Sequence, residues 1–384
     1  MRIPLFLPAL LGLGLAAQTP PPAPGPAVKW RGALWASGAA SNQSTSDGSL
    51  FLRSADSGEG HLAVDGLQLG ADVTLADGWS LKFTLLAGQA ARFLNAGTLA
   101  PNGSPADTGS FAWPEAQLVW TGGADTLKFG RMYTPMGMEV LDPTQDITAS
   151  RGLLFTYAIP VAQVGLNWHH AFSTAWSADL WVYNGEDRVQ DNNKGKTAGL
   201  GLTYNHGGAS DRFVTLMAFS GAEQNATGGA AGAEGRKRER LCLSGGWAWG
   251  KATLLWEGES ARETLPASAF QGATGPVRAA WSGAGLIGKY QFTDAWSGFA
   301  RAEVFKDDTG VRLGADPSVA AALPPARDAG LRATSFALGA ERRWHATFTR
   351  LEIREDSLGK EVADGSGKPF KSAASLTWSV GTSF

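Results

Sequence analysis

From residue 61 onward the chain alternates apolar with small or polar residues, one stretch after another, and the joins between stretches are short and long in strict turn. Leu67, Leu69, Ala71, Val73 and Leu75 alternate with Gln68, Gly70, Asp72 and Thr74. After the turn at ADG, Trp79, Leu81, Phe83, Leu85 and Ala87 alternate with Ser80, Lys82, Thr84, Leu86 and Gly88. A period of two marks a strand whose faces meet unlike surroundings. Two such runs across a tight turn make an antiparallel hairpin. The pattern recurs around short turns near residues 121, 174, 208, 250, 294 and 343. Between them lie longer connections, at about 39–60, 93–112, 132–160, 184–197, 221–239, 260–280, 306–333 and 356–371, rich in Gly, Ser, Ala, Asp, Asn and Pro. In a meander alternate connections lie at opposite ends, so one end is trimmed and the other elaborated.

With an opening strand at VKWRGALWASG and a closing strand whose alternation runs through SLTWSVGTSF to Phe384, the count is about sixteen. Fourteen and eighteen are the neighbouring even counts for a transmembrane barrel. Soluble and membrane barrels share the period of two, so other features must separate them. A closed sheet of about sixteen strands is too wide for side chains to fill. The face opposite the apolar one carries Gln68, Asp72, Lys82, Glu115, Gln117, Lys128, Glu257, Glu259, Arg301, Glu303, Glu341, Arg350, Glu352 and Arg354, a density of charge that a dry core does not hold without strict pairing. Trp79, Trp120, Trp168, Trp176, Trp249 and Trp296 fall close to short turns, and Trp378 lies on the closing strand. Their apolar bodies and polar N–H groups suit the headgroup level, as an aromatic girdle. Closure also satisfies every backbone group without water, which lipid demands. The expected fold is thus all-β, a single transmembrane antiparallel barrel with short periplasmic turns and long extracellular loops.

Residues 1–17, MRIPLFLPALLGLGLAA, read as a secretory signal peptide. The run is shorter than the ~20 residues of a spanning helix. Residues 18–27 form a Pro-rich periplasmic tether that cannot pair in a sheet, leaving residues 28–384 as the barrel. A formal net charge of -2 with 18% charged residues exerts no pull on nucleic acid. The single cysteine, Cys242, permits no disulfide within the chain, and alternation points it inward as a small filler.

The signal segment, the alternation of turn lengths, the girdle and the terminal Phe384 together resemble Gram-negative outer-membrane porins. Residues 130–166, with Gly130, Tyr133, Pro135, Gly137, Glu139, Ser150, Arg151, Pro160 and Gly165, are similar to the corresponding stretch of the OmpL-like β-barrel porin-2 family. The resemblance implies a water-filled lumen for small hydrophilic solutes or ions, narrowed by an inward-folding loop at about 132–160. Glu139, Asp142, Asp146 and Arg151 of that loop would face a lumen lined by Lys82, Glu115, Lys128, Arg301, Glu303, Arg350, Glu352 and Arg354, and opposed charges would set a transverse field. It further implies Phe384 as the signal read by the outer-membrane assembly machinery, contact with outer-membrane lipid and lipopolysaccharide, and a possible homotrimer.

Catalytic signatures are weak. G-x-S-x-G and H-E-x-x-H do not occur, and DGSGK lacks the spacing of a phosphate loop. The acids at 307–308 lack EF-hand spacing, so neither metal nor cofactor is expected. Two other readings stay open: a structural or adhesive barrel whose loops plug the lumen, and a barrel-embedded lipid hydrolase using His170 or His206 as base. The run RKRER at 236–240 reads either as a contact for lipopolysaccharide phosphates or as a solvated loop edge.

Overall fold

The computed structural model describes residues 25–384 except 44, 46–47, 57, 59, 98–108, 225–235 and 321. The expected signal segment and most of the Pro-rich stretch lie outside the described residues. Sixteen strands follow in chain order: β1 (Ala27–Ser41), β2 (Leu62–Thr74), β3 (Trp79–Ala87), β4 (Phe111–Gly122), β5 (Asp125–Tyr133), β6 (Ala162–Ala171), β7 (Trp176–Glu186), β8 (Thr197–Asn205), β9 (Arg212–Ala222), β10 (Lys237–Trp249), β11 (Ala252–Leu265), β12 (Val277–Gln291), β13 (Trp296–Asp307), β14 (Leu331–Trp344), β15 (Thr347–Ala363) and β16 (Pro369–Ser383). Each pairs antiparallel with its sequence neighbours, and β1 also pairs with β16, from Ala33 opposite Ser383 to Ser41 opposite Ser375. The sheet is a closed barrel, and the expected count of sixteen is the observed one.

All seven expected short turns are present, between 74 and 79 for β2–β3 through to 344 and 347 for β14–β15. Seven of the eight expected long connections are present too. The eighth, at 356–371, is mostly strand. β15 runs on to Ala363 and β16 starts at Pro369, so only five residues turn, with Asp364 accepting hydrogen bonds from the Ser366 and Lys368 amides (2.9 Å each). Lys360 and Glu361 stand exposed there. A strand that projects beyond the membrane faces water on its outer side, so its polar residues interrupt the apolar pattern without interrupting the pairing.

The wall reverses a soluble protein. Outward Leu67, Phe129 and Ile353 are 52%, 64% and 64% exposed, while their inward neighbours Gln68, Lys128 and Arg354 range from half-buried to fully buried. Trp79, Trp168, Trp176, Trp249, Trp296 and Trp378 are exposed on the outer face, and Trp120 is half-buried opposite Trp79. Polar anchors accompany them: Trp168 Nε1 donates to Asp125 (2.8 Å) and Trp378 Nε1 to Thr349 Oγ1 (2.9 Å).

The seam between the terminal strands ends on a close fit. Gly32 and Phe384 exchange both backbone hydrogen bonds at 3.0 Å. The Phe384 ring lies so near that a Cβ on Gly32 would come within 2.3 Å of its Cζ. A larger residue at 32 would have to push the ring aside. Gly32→Val is therefore expected to destabilise the seam by about 1–3 kcal/mol, read as a lower temperature of the folded-to-unfolded electrophoretic shift. Gly288→Ala, where a Cβ would meet open space, is the control and should leave that temperature unchanged.

Candidate functional site

The residues between β5 and β6 form an inserted loop, 134–161, that ends in a short π-helical turn (Leu154–Ala158). In a ring of sixteen strands β13 stands opposite β5, and the loop reaches it. Arg301 of β13 donates from Nη1 to Glu139 Oε1 (2.7 Å) and to the Ser150 carbonyl (2.6 Å). Its neighbour Glu303 accepts the backbone N–H groups of Leu153 (2.8 Å) and Leu154 (3.1 Å). From β15, Arg350 donates to the carbonyls of Pro143 (2.8 Å), Asp146 (2.5 Å) and Thr148 (3.0 Å). Glu352 accepts from the Ala149 amide (2.9 Å) and the Ser150 hydroxyl, and Arg354 donates to Ser150 Oγ (3.1 Å) and to the Arg151 carbonyl. Glu257 of β11 accepts the Met138 amide (3.0 Å). The wall's charges act as caps for a loop with little regular structure of its own, meeting the demand that buried backbone groups be bonded.

Glycines on β12 complete the seat. A Cβ on Gly283 would lie 2.3 Å from Leu154 Cδ2, and one on Gly285 would lie 2.9 Å from Met138 Cε. The wall is recessed where the loop's apolar side chains press on it.

Within the loop, Glu139 also accepts the Gly152 amide (2.6 Å) and the Thr148 hydroxyl (2.8 Å). Asp142 accepts the amide and hydroxyl of Thr144 (2.9 and 2.7 Å), and Asp146 accepts the Val140 amide (2.9 Å) and pairs with Arg151 Nη1 (3.0 Å). The side chains of Arg301, Arg350 and Arg354 are fully buried beneath the loop. Their charge goes into ion pairs and carbonyl contacts, in place of an open row facing the loop acids.

The open space lies on the other side. Near the short turns a cavity of ≈ 560 Å³ is lined by Lys128, Asn167, Asp179 and Thr215. It shares Asp72, Lys82, Glu115, Tyr133 and Thr134 with a cavity of ≈ 270 Å³ beside the loop, which Arg31, Asp142 and Gln145 also line. That one meets a third, of ≈ 640 Å³, at Val161, toward the long-connection end. The smallest is the middle one. Its wall is an ion ladder: Arg31 reaches Glu115 (3.1 Å) and Asp72 (3.3 Å), and Lys82 reaches Glu115 (2.9 Å). At the outer mouth, burial pushes the Asp187 carboxyl above its ordinary range, against hydrogen bonds from the Ala162 and Val161 amides. Burial also raises Asp316, against bonds from Ser318 and Tyr157.

Reading the sequence missed two groups. Arg31 was not singled out because both faces of the opening strand look alike by residue type. In RKRER, Arg238 and Arg240 point inward to Glu186, Glu259 and Glu263, while Lys237 and Glu239 stay exposed. Strict alternation along 237–240 is the signal that could have found them. Two histidines near a short turn pair with acids, His170 with Asp125 (2.7 Å) and His169 with Asp179 (3.1 Å). Neither His170 nor His206 is hydrogen-bonded to a serine among the described residues.

A closed sixteen-stranded barrel, apolar outside and charged inside, with a loop folded across its lumen, is the architecture of an outer-membrane porin. The family described as "Putative beta-barrel porin-2, OmpL-like" matches residues 28–384, and the chain belongs to it. Among solved structures it is similar to OmpT of Vibrio cholerae (10% identity, TM-score 0.58, 94% of this chain and 99% of that one). It is similar also to the channel DcaP of Acinetobacter baumannii (9%, 0.58, 94% and 98%) and to an anion-selective porin of Comamonas acidovorans (11%, 0.57, 94% and 100%). No curated protein matches the sequence. The chain is an outer-membrane porin.

Arg301→Gln leaves Glu139 and Glu303 buried without their cation, a change that costs about 3–5 kcal/mol in buried pairs. The expected result is a loosened 134–161 loop, seen as faster protease cleavage between Met136 and Arg151 in a barrel that still shows its electrophoretic shift. Cleavage as slow as wild type would show that Arg301 does not hold the loop.

Proposed function

We propose that small hydrophilic solutes diffuse between the 134–161 loop and the wall of β1–β5, with Arg31, Lys82, Glu115 and Tyr133 on one side of the narrowest part and Asp142 and Gln145 on the other. The observation that carries this reading is the file of cavities that share lining residues from one end of the barrel to the other. Glu139, Asp146 and Arg151 then set the loop's shape, and Arg301, Glu303, Arg350, Glu352 and Arg354 hold it in place. Lys128 lies on the approach from the short-turn end. The process makes and breaks no bond. Cations and anions of the ladder alternate, so the pore sorts solutes by size and by local charge pattern more than by net charge.

Planar-bilayer recording tests it. The purified barrel should give ohmic steps, and under a salt gradient Lys82→Gln should move the reversal potential toward cation preference and Asp142→Asn toward anion preference. Arg301 is neutralised by Glu139 beneath the loop, so Arg301→Gln acts through loop position and not through a charge exposed to solutes. No conductance from correctly folded barrel would favour a plugged structural barrel instead.

Export by a signal segment at 1–17 fits the assignment to the outer membrane. A homotrimer is supported by likeness to the trimer form of Vibrio cholerae OmpT (12% identity, TM-score 0.57, 94% of this chain and 100% of that one). Phe384, at the seam, serves as the mark read during assembly. Its deletion or replacement by Asp is expected to lower the outer-membrane yield at least several-fold and leave chain in the periplasm, as fractionation would show. A normal yield of heat-modifiable barrel would remove that role.

A further inference from the structure

The wall under the root of the loop carries a group of side chains that ion pairing does not satisfy. Cys242 of β10 pairs across the sheet with Glu259 of β11, and Glu257, two residues along β11, projects from the same inward face. One ligand atom from each of the three lies within 4.8 Å of the others, and all three residues are buried. Glu257 is 4% exposed; Oε2 accepts the Met138 amide (3.0 Å), but Oε1 has no hydrogen-bond partner among the described residues. Its strongest charged neighbours are Glu259, Glu303 and Glu139, all acidic. Glu259 does contact Arg240, yet that guanidinium is shared with Glu186. An unpaired carboxylate oxygen in such surroundings is costly unless a cation or a proton meets it.

We propose that Cys242, Glu257 and Glu259 bind one borderline-soft divalent cation of the zinc type, which ties the loop's root at Met138 to the β10–β11 wall. The donor set suits that class: a thiolate with two carboxylates favours a small ion that accepts sulfur and oxygen together, over calcium or magnesium, which take oxygen alone. Tetrahedral bonds of about 2.0–2.3 Å place ligand atoms about 3.5 Å apart, so a modest inward movement closes the site. Each ligand comes from a strand held on both sides, as a preorganised site requires. Binding displaces the thiol proton, and any proton on the carboxylates, to solvent. The site lies outside the cavities that form the pore, so the ion enters during folding.

The test refolds the full chain into detergent micelles with zinc or cobalt(II), removes free metal and measures metal per folded barrel. We expect about one equivalent in the wild type, a thiolate-to-cobalt charge-transfer band, and loss of both in Cys242→Ser. Glu257→Gln should bind at least tenfold more weakly, in line with removal of a ligand. The electrophoretic shift confirms that each variant folds, and Cys242→Ala replaces Cys242→Ser should the latter fail. A folded wild type that holds no metal above the Cys242 variant overturns the proposal. So does a Glu257→Gln barrel that is more stable than metal-free wild type while zinc leaves wild-type stability unchanged, since a proton then fills the place assigned to the metal.

Discussion

Everything in this barrel depends on the seam between β1 and β16. In the hydrocarbon interior no water replaces a missing backbone partner, so an open sheet would expose a row of unsatisfied N–H and C=O groups at two edges. Pairing from Ala33–Ser383 to Ser41–Ser375 removes both edges at once. The same requirement explains why the alternation persists to the final strand, where a soluble chain is free to fray. Phe384 adds a side-chain contact by laying its ring against Gly32, where a larger residue would displace it. Local sequence and global closure meet in one contact.

Closure creates a second problem, a lumen too wide to pack. The chain fills part of it with a loop of mostly irregular backbone, whose polar groups need partners as urgently as those of the strands. Arginines and glutamates from β11, β13 and β15 supply them. Arg350 alone takes three loop carbonyls, and Glu303 takes two loop amides. An arginine suits such work because its planar donors reach several acceptors at fixed angles. Glutamates do the converse for amides. The loop's conformation is thus written largely in the wall, and less in the loop's own sequence.

That division explains what could be read in advance. Strand number, turn positions and the outward faces follow from a period of two and from turn chemistry, which are local and need one sequence only. The extra length of β15 and β16 was hidden because strand pairing outlasts the apolar pattern once the outer face leaves lipid. Lys82, Glu115 and Arg301 were recognisable as inward-facing, but not their partners, because pairing is fixed by which strands face each other across the lumen. Arg301 and Lys82 look alike in the sequence. One lies sealed under the loop beside Glu139, and the other lines the narrowest cavity beside Glu115. Arg31 escaped notice because the opening strand has no clear alternation by residue type, although its neighbours Asp72 and Glu115 were both found.

Loop and pore then constrain each other. Docking on β11–β15 carries the loop's mass to that side and leaves the empty file along β1–β6, so the wall residues that bind the loop are distinct from those that line the narrowest cavity. The two sets of charges stand on opposite walls, with the loop between them. The docked set is neutralised in place, which keeps its field local, whereas the ladder of Arg31, Asp72, Lys82 and Glu115 stays at the edge of water. On the proposed path, substitution in the docked set would act on pore shape, and substitution in the ladder on pore charge. Selectivity along that path can therefore change at the ladder while the wall contacts that set the bore stay in place, with Glu139, which binds Arg301 and lines the narrowest cavity, as the link between the two sets.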